Sequence, residues 1–563
     1  MKTYKQRTDS ILNKVQKIKQ KRRKTVVISV VSSLCGVFIL CNAILFLPQL
    51  FLVKKDAGGN ATAPAPEMIE SSNVTSTDEN YPNLQYQYLI AQIKKVTENK
   101  EPQNPEEESS EEFWGPGLDH EESVSENTYQ KLTSNSLEGV ANGNLFQSTQ
   151  THIFYVKESA KITDNHTLFV YSIEEKNSQK IAQFSIKKAE NLGEKSYFKG
   201  SPLLFLSEDK RTLTVVAPYM VVRQAEYRPY TAIISLDVSN PTSIKENTRA
   251  YLSGSLQTAK EVYGSLVMST KFQIRSEVDY FNELTFVPHY GKANAMQGVQ
   301  EDDIIFPEKK PENTNYTTLC KVDAKTLNLE GFTAFFSMDA AAVITKNYAF
   351  FHQSTTGYWD DETNKETLTE IHGIGYKNNL SYQGACTILG VVNAESMEEK
   401  DGVLQVTARN LKTNQQIRYD VDLSNNELLS QVETEKSYDY LTAFYGNTLL
   451  GLQVGKADDC YIKTYRETEG GLDVVSSYKM QGVFAKDENA YFVDKERGLF
   501  GLCARVETEN GWQDSYVLLQ FNGSEWKKVQ VKTPCDGVET TRAIWMDGYF
   551  YICSGETFYV VSV

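Results

Sequence analysis

From about Tyr129 to the C-terminus, short runs of apolar residues alternate with turns that are rich in Gly, Asn, Asp and Ser. Runs of this kind, in which Tyr, Phe, Val and Thr predominate, are typical of β-strands joined by hairpins. No long segment between them carries apolar residues at helical spacing. The pattern therefore predicts an all-β domain that covers residues 128–563.

The predicted strands recur as a unit in which an aromatic strand is followed by a turn and a second strand. The first strands of the eight units begin at His152, Leu213, Ser265, Tyr348, Val403, Thr448, Ala490 and Tyr549. Strand-only repeats of this length are typical of a β-propeller, whose four-stranded blades surround a central channel. The sequence therefore predicts a single propeller of about eight blades, with seven possible. A β-sandwich does not explain the recurrence.

The last unit contains only three strand-like runs, TTRAIWM, YFYICS and TFYVVSV. A blade of three strands leaves a sheet edge open, and open edges pair readily with other chains. The segment Asn127–Thr133 (NTYQKLT) precedes the first unit and alternates as a strand does. We therefore predict that Asn127–Thr133 supplies the outer strand of the last blade and closes the ring.

Residues 26–47 carry no charge and are long enough to cross a bilayer as a helix. Ten Lys or Arg residues lie within residues 1–24, directly before this span. A signal peptide has a shorter apolar core and a cleavage site after it, and neither feature fits here. By the positive-inside rule, the sequence predicts a cytoplasmic basic segment (1–24), one transmembrane helix (25–53) and an extracellular remainder held at the cell membrane.

We interpret residues 54–127 as an acidic and polar linker. Within it, residues 101–127 contain ten acidic residues and no basic one, a composition that keeps a chain solvated. Leu84–Val96 (LQYQYLIAQIKKV) has the spacing of one isolated helix turned toward the following domain. The linker is otherwise expected to lack packed structure and to be dispensable for folding.

The net charge of −15 argues against nucleic acid as the main partner of the folded domain. There are eight cysteines, of which Cys35 and Cys41 lie in the predicted span. The other six have no CxxC pair and do not resemble a disulfide framework: Cys320, Cys386, Cys460, Cys503, Cys535 and Cys553. We expect free, buried thiols, although an even number also permits bridges.

Four stretches of the domain resemble the bacterial secreted protein family with a C-terminal β-propeller domain, which is distantly related to WD repeats. They are residues 129–156, 233–270, 369–408 and 540–562. In the third stretch the matching or nearly matching residues are Asn393, Ser396, Met397, Glu398, Glu399, Asp401 and Gly402. The resemblance implies a propeller fold and no particular activity, because the family has no settled biochemical role.

Two positions depart from that family's pattern. Ala141–Asn144 (Ala-Asn-Gly-Asn) stands where the family has the acidic sequence Asp-Glu-Ala-Asp, and Gln405 stands where it has Arg. An ion or ligand site built from that acidic sequence is therefore not expected in this chain.

The six histidines form none of the spacings that bind metals, and His152, His352 and His372 lie in or beside predicted strands, where a structural role is expected. The other three are His120, His166 and His289. There is no GxSxG elbow, phosphate-binding loop or EF-hand loop. Three acidic clusters could supply the carboxylates of a glycan-acting enzyme, although such clusters are usually solvated turns: Glu301–Asp303, Trp359–Glu362 and Ala457–Asp459. No catalytic, metal-binding or cofactor-binding residue is predicted, and no cofactor.

Phe272–Asn315 is too long for a hairpin loop, which makes it the best candidate for a binding surface. The favoured function is a membrane-anchored binding or scaffold module for an extracellular protein, a peptide or a cell-envelope polymer. Two alternatives stay open. One is a signalling or assembly protein coupled to the cytoplasmic basic segment, and the other is a glycan hydrolase or lyase.

Overall fold

The computed structural model describes residues 84–98 and most of residues 140–562, with gaps in several connections between strands. Within these residues, no helix is long and apolar enough to span a membrane. The predicted transmembrane helix and the basic segment before it lie outside the described residues. The predicted closing strand Asn127–Thr133 also lies outside them, so all three features stay predictions.

The described strands form eight sheets that follow one another along the chain. Neighbouring strands are antiparallel except for one parallel pair in the third sheet. Strands are numbered in chain order. Sheet 1 consists of β2 (Phe146–Ser148), β3 (His152–Lys157), β4 (His166–Ser172) and β5 (Lys180–Ile186). Sheet 2 consists of β6 (Lys195–Phe198), β7 (Leu203–Leu206), β8 (Thr212–Arg223), β9 (Glu226–Asp237), β10 (Lys245–Ser253), β13 (His289–Lys292) and β14 (Ala295–Gly298).

Sheets 3 to 5 cover the middle of the chain. Sheet 3 consists of β1 (Val140–Asn142), β11 (Ser255–Val262), β12 (Ser265–Gln273), β15 (Ile304–Ile305), β16 (Asn315–Asp323) and β17 (Leu329–Phe336). Sheet 4 consists of β18 (Ala341–Ile344), β19 (Tyr348–Gly357), β20 (Glu366–Gly375) and β21 (Ser381–Leu389). Sheet 5 consists of β22 (Val391–Val392), β23 (Glu398–Lys400), β24 (Val403–Arg409), β25 (Gln416–Asp422) and β26 (Glu427–Thr434).

Sheets 6 to 8 complete the described chain. Sheet 6 consists of β27 (Leu441–Ala443), β28 (Thr448–Val454), β29 (Asp459–Thr468) and β30 (Gly471–Gln481). Sheet 7 consists of β31 (Val483–Phe484), β32 (Phe492–Asp494), β33 (Leu499–Thr508), β34 (Gly511–Phe521) and β35 (Trp526–Lys532). Sheet 8 consists of β36 (Arg542–Met546), β37 (Tyr549–Ser554) and β38 (Thr557–Ser562).

Seven of the eight predicted first strands coincide with an interior strand, which has a paired strand on each side within its sheet. The prediction for the run that begins at Ala490 is wrong. That run contains only the short strand β32, and the corresponding long strand of sheet 7 is β33. Gly498 and Gly501 interrupt the aromatic pattern there. Gly498 adopts a φ of +64°, a left-handed turn conformation that glycine supplies without strain.

Apolar clusters fill the space between successive sheets. Each cluster draws residues from two neighbouring sheets, at the junctions 1–2, 2–3, 3–4, 4–5, 6–7 and 7–8. A further cluster joins sheet 8 back to sheet 1. At that junction Tyr155 Oη donates to the carbonyl oxygen of Thr540 at 3.1 Å and accepts from the N–H of Gly555 at 3.2 Å. The first and last sheets are therefore joined by side chains from within the described strands.

A threonine on the third strand of several sheets holds the connection to the next sheet. Thr231, Thr317 and Thr369 are buried, and their hydroxyls donate to the carbonyl oxygens of Gly254, Met338 and Gly390. Gly254 and Gly390 have φ values of +99° and +105°. A Cβ atom at Gly254 would lie 2.5 Å from the carbonyl oxygen of Lys271. Only glycine fits this joint without displacing the backbone.

The helix α1 (Gln87–Glu98) follows a 3-10 turn at Leu84–Tyr86. Its apolar residues Leu89, Ile90 and Ile93 are buried in the cluster between sheets 2 and 3. The prediction of a helix at this point is confirmed. The description of residues 54–127 as a linker does not hold for this part, because the helix shares the core of the following domain.

Candidate functional site

The predicted binding insertion, Phe272–Asn315, is an ordered element rather than an open loop. Its hairpin of β13 and β14 adds to the outer strand of sheet 2, where Leu252 pairs with Tyr290. Further along, β15 pairs with the outer strand of sheet 3. The insertion thus bridges the outer edges of two sheets. The 3-10 turn before α1 contacts it through Tyr86, whose Oη donates to the carbonyl oxygen of Val299 at 2.8 Å.

Beside the insertion, β8 and β9 form a long hairpin of twelve residues in each strand. The far end of β8 also pairs with β6. Three arginines and two tyrosines lie near the far end of this hairpin, and we name them the arginine–tyrosine surface: Tyr197, Arg223, Tyr227, Arg228 and Arg275. Strand pairing places Arg223 and Arg228 on one face of the paired strands, and Tyr197 and Tyr227 on the other face. A basic and aromatic surface is conspicuous in a chain whose net charge is −15.

Hydrogen bonds to backbone carbonyls fix two of these arginines. Arg275 Nη2 donates to the carbonyl oxygen of Tyr227 at 2.8 Å, which ties the insertion to the start of β9. Arg223 donates from Nε and Nη2 to the carbonyl oxygen of Leu192, at 3.0 and 2.7 Å. Neither bond neutralises the charge of its guanidinium. Both arginines are therefore held in place as cations.

Arg228 is the central arginine of the surface. Its Nη2 lies 3.2 Å from Glu226 Oε2, and its Nε is buried without a hydrogen-bond partner among the described residues. A buried donor without an acceptor costs about 1–3 kcal/mol. The guanidinium of Arg228 therefore retains hydrogen-bonding capacity that the described residues do not use.

The two tyrosines supply the aromatic part of the surface, with Tyr227 exposed and Tyr197 half-buried. The rings of Tyr197 and Tyr227 meet edge to face, with 6.4 Å between their centroids. Tyr227 is 53% exposed, which is unusual for so large a side chain in this domain. Burial, with Tyr227 as a second cause, raises the pKa of Tyr197, so it is an uncharged hydrogen-bond donor at neutral pH.

A buried Tyr–His pair lies beneath the arginines and fixes β13 against β9. Tyr230 Oη lies 2.9 Å from His289 Nε2, and His289 Nδ1 lies 3.0 Å from the carbonyl oxygen of Val287. This arrangement fits a ring that donates from Nδ1 and accepts at Nε2. Burial lowers the pKa of His289 to about 4, with Arg223 and Arg228 acting in the same direction. His289 is therefore neutral at pH 7, and the charge of the surface comes from its arginines.

The three acidic clusters proposed from the sequence lie in different parts of the chain, and one of them has a structural role. Glu301–Asp303 forms a 3-10 turn, where Glu301 Oε1 accepts the N–H of Leu89 at 2.9 Å. A carboxylate at the first turn of a helix satisfies a free backbone donor and favours the helix dipole, so Glu301 has a structural role. Trp359–Glu362 lies outside the described residues, and Asp459 begins β29.

Most of the described histidines contact neighbouring side chains. His152 Nδ1 lies 2.8 Å from Thr151 Oγ1, and His372 Nδ1 lies 3.0 Å from Tyr382 Oη. His352 lies on β19, where burial and then Lys271 lower its pKa. Over the part of the chain that the structure describes, no group of three His, Cys, Asp or Glu residues could hold a metal ion.

Sequence analysis pointed to the insertion but missed the arginines. The run YMVVRQAEYRPY, residues 219–230, contains two arginines and three tyrosines and was a usable signal. Tyr197 and Arg275 lie far from this run in the chain, and strand pairing brings them to it. A separate groove of about 620 Å³ lies between sheets 4 and 5 and is lined by Tyr348, Gln383, Gly402, Val403, Asp422, Leu423 and Leu429.

Comparison with solved structures finds similar chains at very low sequence identity. Acylaminoacyl peptidase from Pyrococcus horikoshii is 8% identical, with a TM-score of 0.37, over 77% of this chain and 58% of that chain. The β-propeller domain of the trilobed protease from Pyrococcus furiosus is 9% identical, with a TM-score of 0.31, over 70% of this chain and 99% of that one. The WD40 domain of Toxoplasma gondii coronin is 12% identical, with a TM-score of 0.29, over 74% and 86%. The chain thus spans a little over half the length of the peptidase.

The comparison with curated proteins gives no match. The family model described as "Beta propeller domain" matches residues 132–443, which is more than half of the chain. This stretch includes sheets 1 to 5, with their succession of antiparallel strands and apolar clusters between neighbours. The chain therefore belongs to the β-propeller domain family.

Proposed function

We propose that this protein is a membrane-anchored extracellular β-propeller that binds an acidic ligand through its arginine–tyrosine surface. The observation that carries the proposal is the concentration of Arg223, Arg228 and Arg275 at the far end of one hairpin, near the exposed Tyr227, in an otherwise acidic chain. The ligand would carry carboxylate or phosphate groups, as an acidic protein segment or an envelope polymer does.

The chemistry of the side chains supports this ligand class. The planar guanidinium group of arginine matches carboxylate and phosphate groups with two parallel hydrogen bonds. Tyrosines add apolar contact area and a hydroxyl donor at little cost in side-chain freedom. The negative charge elsewhere on the chain repels acidic molecules, so a local basic surface determines where they bind.

Anchoring, the extracellular position and the blade number belong to the same proposal. The uncharged span at residues 26–47 after a basic segment supports the anchor. The succession of eight sheets supports eight blades, with Asn127–Thr133 as the fourth strand beside β38. Protease added to intact cells is expected to remove the domain, and a protected domain would contradict this topology.

The binding experiment uses the full-length protein in detergent micelles with two fluorescent probes, poly-L-glutamate and polyphosphate. We expect at least one probe to bind, and the Arg228→Gln substitution to weaken that binding by about tenfold, since a charge-assisted hydrogen bond contributes about 1.5–3 kcal/mol. Preference between the probes distinguishes a carboxylate ligand from a phosphate ligand.

Arg418→Gln is the matched control. Arg418 also lies on the third strand of its sheet and also pairs with an acid two positions away, Asp420, at 3.4 Å. Its substitution is expected to leave binding unchanged. Failure of both probes to bind the wild-type protein, or equal loss in the two variants, would overturn the proposed function.

A further inference from the structure

Two cysteine side chains meet where sheet 7 adjoins sheet 8. Cys503 lies on β33 opposite Tyr516, and it is fully buried. Cys535 follows β35 and is partly buried, and its N–H donates to the carbonyl oxygen of Asp514 at 2.7 Å. Both side chains contact the same apolar cluster, and their thiol groups are hydrogen-bonded to each other. The two cysteines, about thirty residues apart in the sequence, thus lie side by side at the junction of sheets 7 and 8.

Hydroxyl groups hold this thiol pair in position. Thr541 Oγ1 and Ser554 Oγ lie 2.8 Å apart, and the N–H of Asp536 donates to Ser554 Oγ at 2.6 Å. Ser554 hydrogen-bonds to Cys535, while Thr541 hydrogen-bonds to Cys503. The segment that leads from sheet 7 into sheet 8 is therefore fixed on both sides of the sulfur atoms.

We propose that Cys503 and Cys535 form a reversible disulfide, a modification site that fastens sheet 7 to the segment leading into sheet 8. The other described cysteines lie on different strands: Cys320 on β16, Cys386 on β21, Cys460 on β29 and Cys553 on β37. Cys553 belongs to the cluster between sheets 8 and 1, because successive side chains of a strand point to opposite faces. It therefore faces away from the pair.

The two thiols differ in their pKa and in their exposure. The hydrogen bond from Cys503 lowers the pKa of Cys535, with Ser554 adding to it and burial acting against it. The same hydrogen bond raises the pKa of Cys503, and burial adds to that effect. Cys535 is also the more exposed of the two, so its sulfur is the one that a small disulfide reaches, and the buried Cys503 is the resolving thiol.

The oxidant is a small-molecule disulfide, such as oxidised glutathione. The Cys535 thiolate attacks one sulfur of that disulfide, and one thiolate leaves. The departing thiolate takes the proton of Cys503. The Cys503 sulfur then attacks the Cys535 sulfur, the bond between Cys535 and the small molecule breaks, and the second small thiolate leaves and takes up the proton that Cys535 had lost to solvent. Two protein thiols are oxidised to one disulfide, and one small disulfide is reduced to two thiols.

The test treats full-length protein with oxidised glutathione, blocks free thiols with a maleimide and digests it without reduction. Mass spectrometry is expected to find one linked peptide pair that contains Cys503 and Cys535. The Cys503→Ser variant is expected to trap glutathione on Cys535, because the resolving thiol is gone. The Cys535→Ser variant is expected to form neither adduct nor link. Oxidation of the wild type should also raise the melting temperature by a few degrees, and dithiothreitol should reverse the shift.

Two substitutions serve as controls. Cys386→Ser changes a partly buried cysteine and Cys460→Ser a buried one, and both variants are expected to form the same linked peptides as the wild type. The proposal is overturned if Cys503 and Cys535 remain fully alkylated after oxidation of the wild type, or if either cysteine links elsewhere. It is also overturned if Cys503→Ser carries no glutathione.

Discussion

Tyr171 of sheet 1 stacks on Phe558 of sheet 8, with 4.3 Å between the ring centroids and 17° between the ring planes. This contact joins residues from opposite ends of the described domain. Stacked aromatic pairs contribute about 0.5–1.5 kcal/mol beyond the area that they bury. The junction between first and last sheets is therefore a place where one substitution affects two remote parts of the chain.

The first prediction concerns that contact. Phe558→Ala is expected to lower the free energy of unfolding by about 2 kcal/mol, because it removes the stacking partner and opens the apolar cluster. Chemical denaturation measures the change. Phe281→Ala, at a residue that is 74% exposed, is the control and is expected to change the value by less than about 0.5 kcal/mol. Equal effects from the two substitutions would contradict a role for the stack.

The second prediction concerns α1. Ile93→Ala is expected to cost about 2–4 kcal/mol, because Ile93 is fully buried between sheets 2 and 3. Lys95→Ala, on the exposed side of the same helix, is expected to cost little. A chain that begins near Ser125 is accordingly expected to melt at a lower temperature than one that includes residues 84–98. Identical melting temperatures would restore the interpretation of the whole segment as a linker.

The third prediction concerns the joint between sheets 2 and 3. Gly254→Ala is expected to destabilise the domain more than Gly264→Ala, although both glycines have positive φ values, +99° and +81°. Alanine in a left-handed conformation costs about 1–2 kcal/mol at either site. At Gly254 the new methyl group also collides with the carbonyl oxygen of Lys271, whereas at Gly264 it meets no atom within 4 Å. Thermal unfolding of the two variants measures the difference, and a larger loss at Gly264 would refute it.

The fourth prediction concerns pH. Burial lowers the pKa of His166 to about 4 and that of His289 to about 4. Between about pH 6.5 and 4 the unfolded chain binds protons at these histidines and the folded domain does not, so stability falls as the pH drops through this range. Each site contributes on the order of 3 kcal/mol across the full range.

Replacing either histidine with glutamine removes the contribution of that histidine to the pH dependence of the unfolding free energy. His166→Gln and His289→Gln are each expected to show a shallower fall in unfolding free energy from pH 7 to pH 4.5, and the double variant a shallower one still. Urea denaturation at several pH values gives the slopes. Three slopes equal to that of the wild type would show that other groups determine the acid sensitivity.

Local sequence patterns predicted the long central strands, because such a strand can be recognised from its own residues. β9, for example, has a continuous buried run from Tyr230 to Leu236. The edge strands could not be predicted in the same way. β22 and β31 contain two residues each, and they are strands only because a longer neighbour pairs with them. The burial of α1 was likewise hidden, since its partners come from an insertion some two hundred residues later.

The arginine–tyrosine surface could likewise be predicted only in part from the local sequence. Arg223, Tyr227 and Arg228 are close in the sequence, and their run could have been recognised as basic and aromatic. Arg275 and Tyr197 join them only through the pairing of β6 with β8 and the fold of the insertion. The composition of the chain argues against an acidic ligand, because the chain as a whole is strongly acidic.

The position of α1 has a mechanical consequence. Leu84, in the 3-10 turn before α1, is the described residue nearest in sequence to the predicted membrane span, so tension from the proposed anchor would enter the domain at this point. From there it passes to Val299 and Glu301 of the insertion, through the contacts of Tyr86 and Leu89. The same insertion carries Arg275. With the proposed anchor and ligand, occupancy of the surface and load on the tether would act on the same insertion. Thermodynamic reciprocity would then require that a force that changes the affinity for the ligand is itself resisted differently when the ligand is bound.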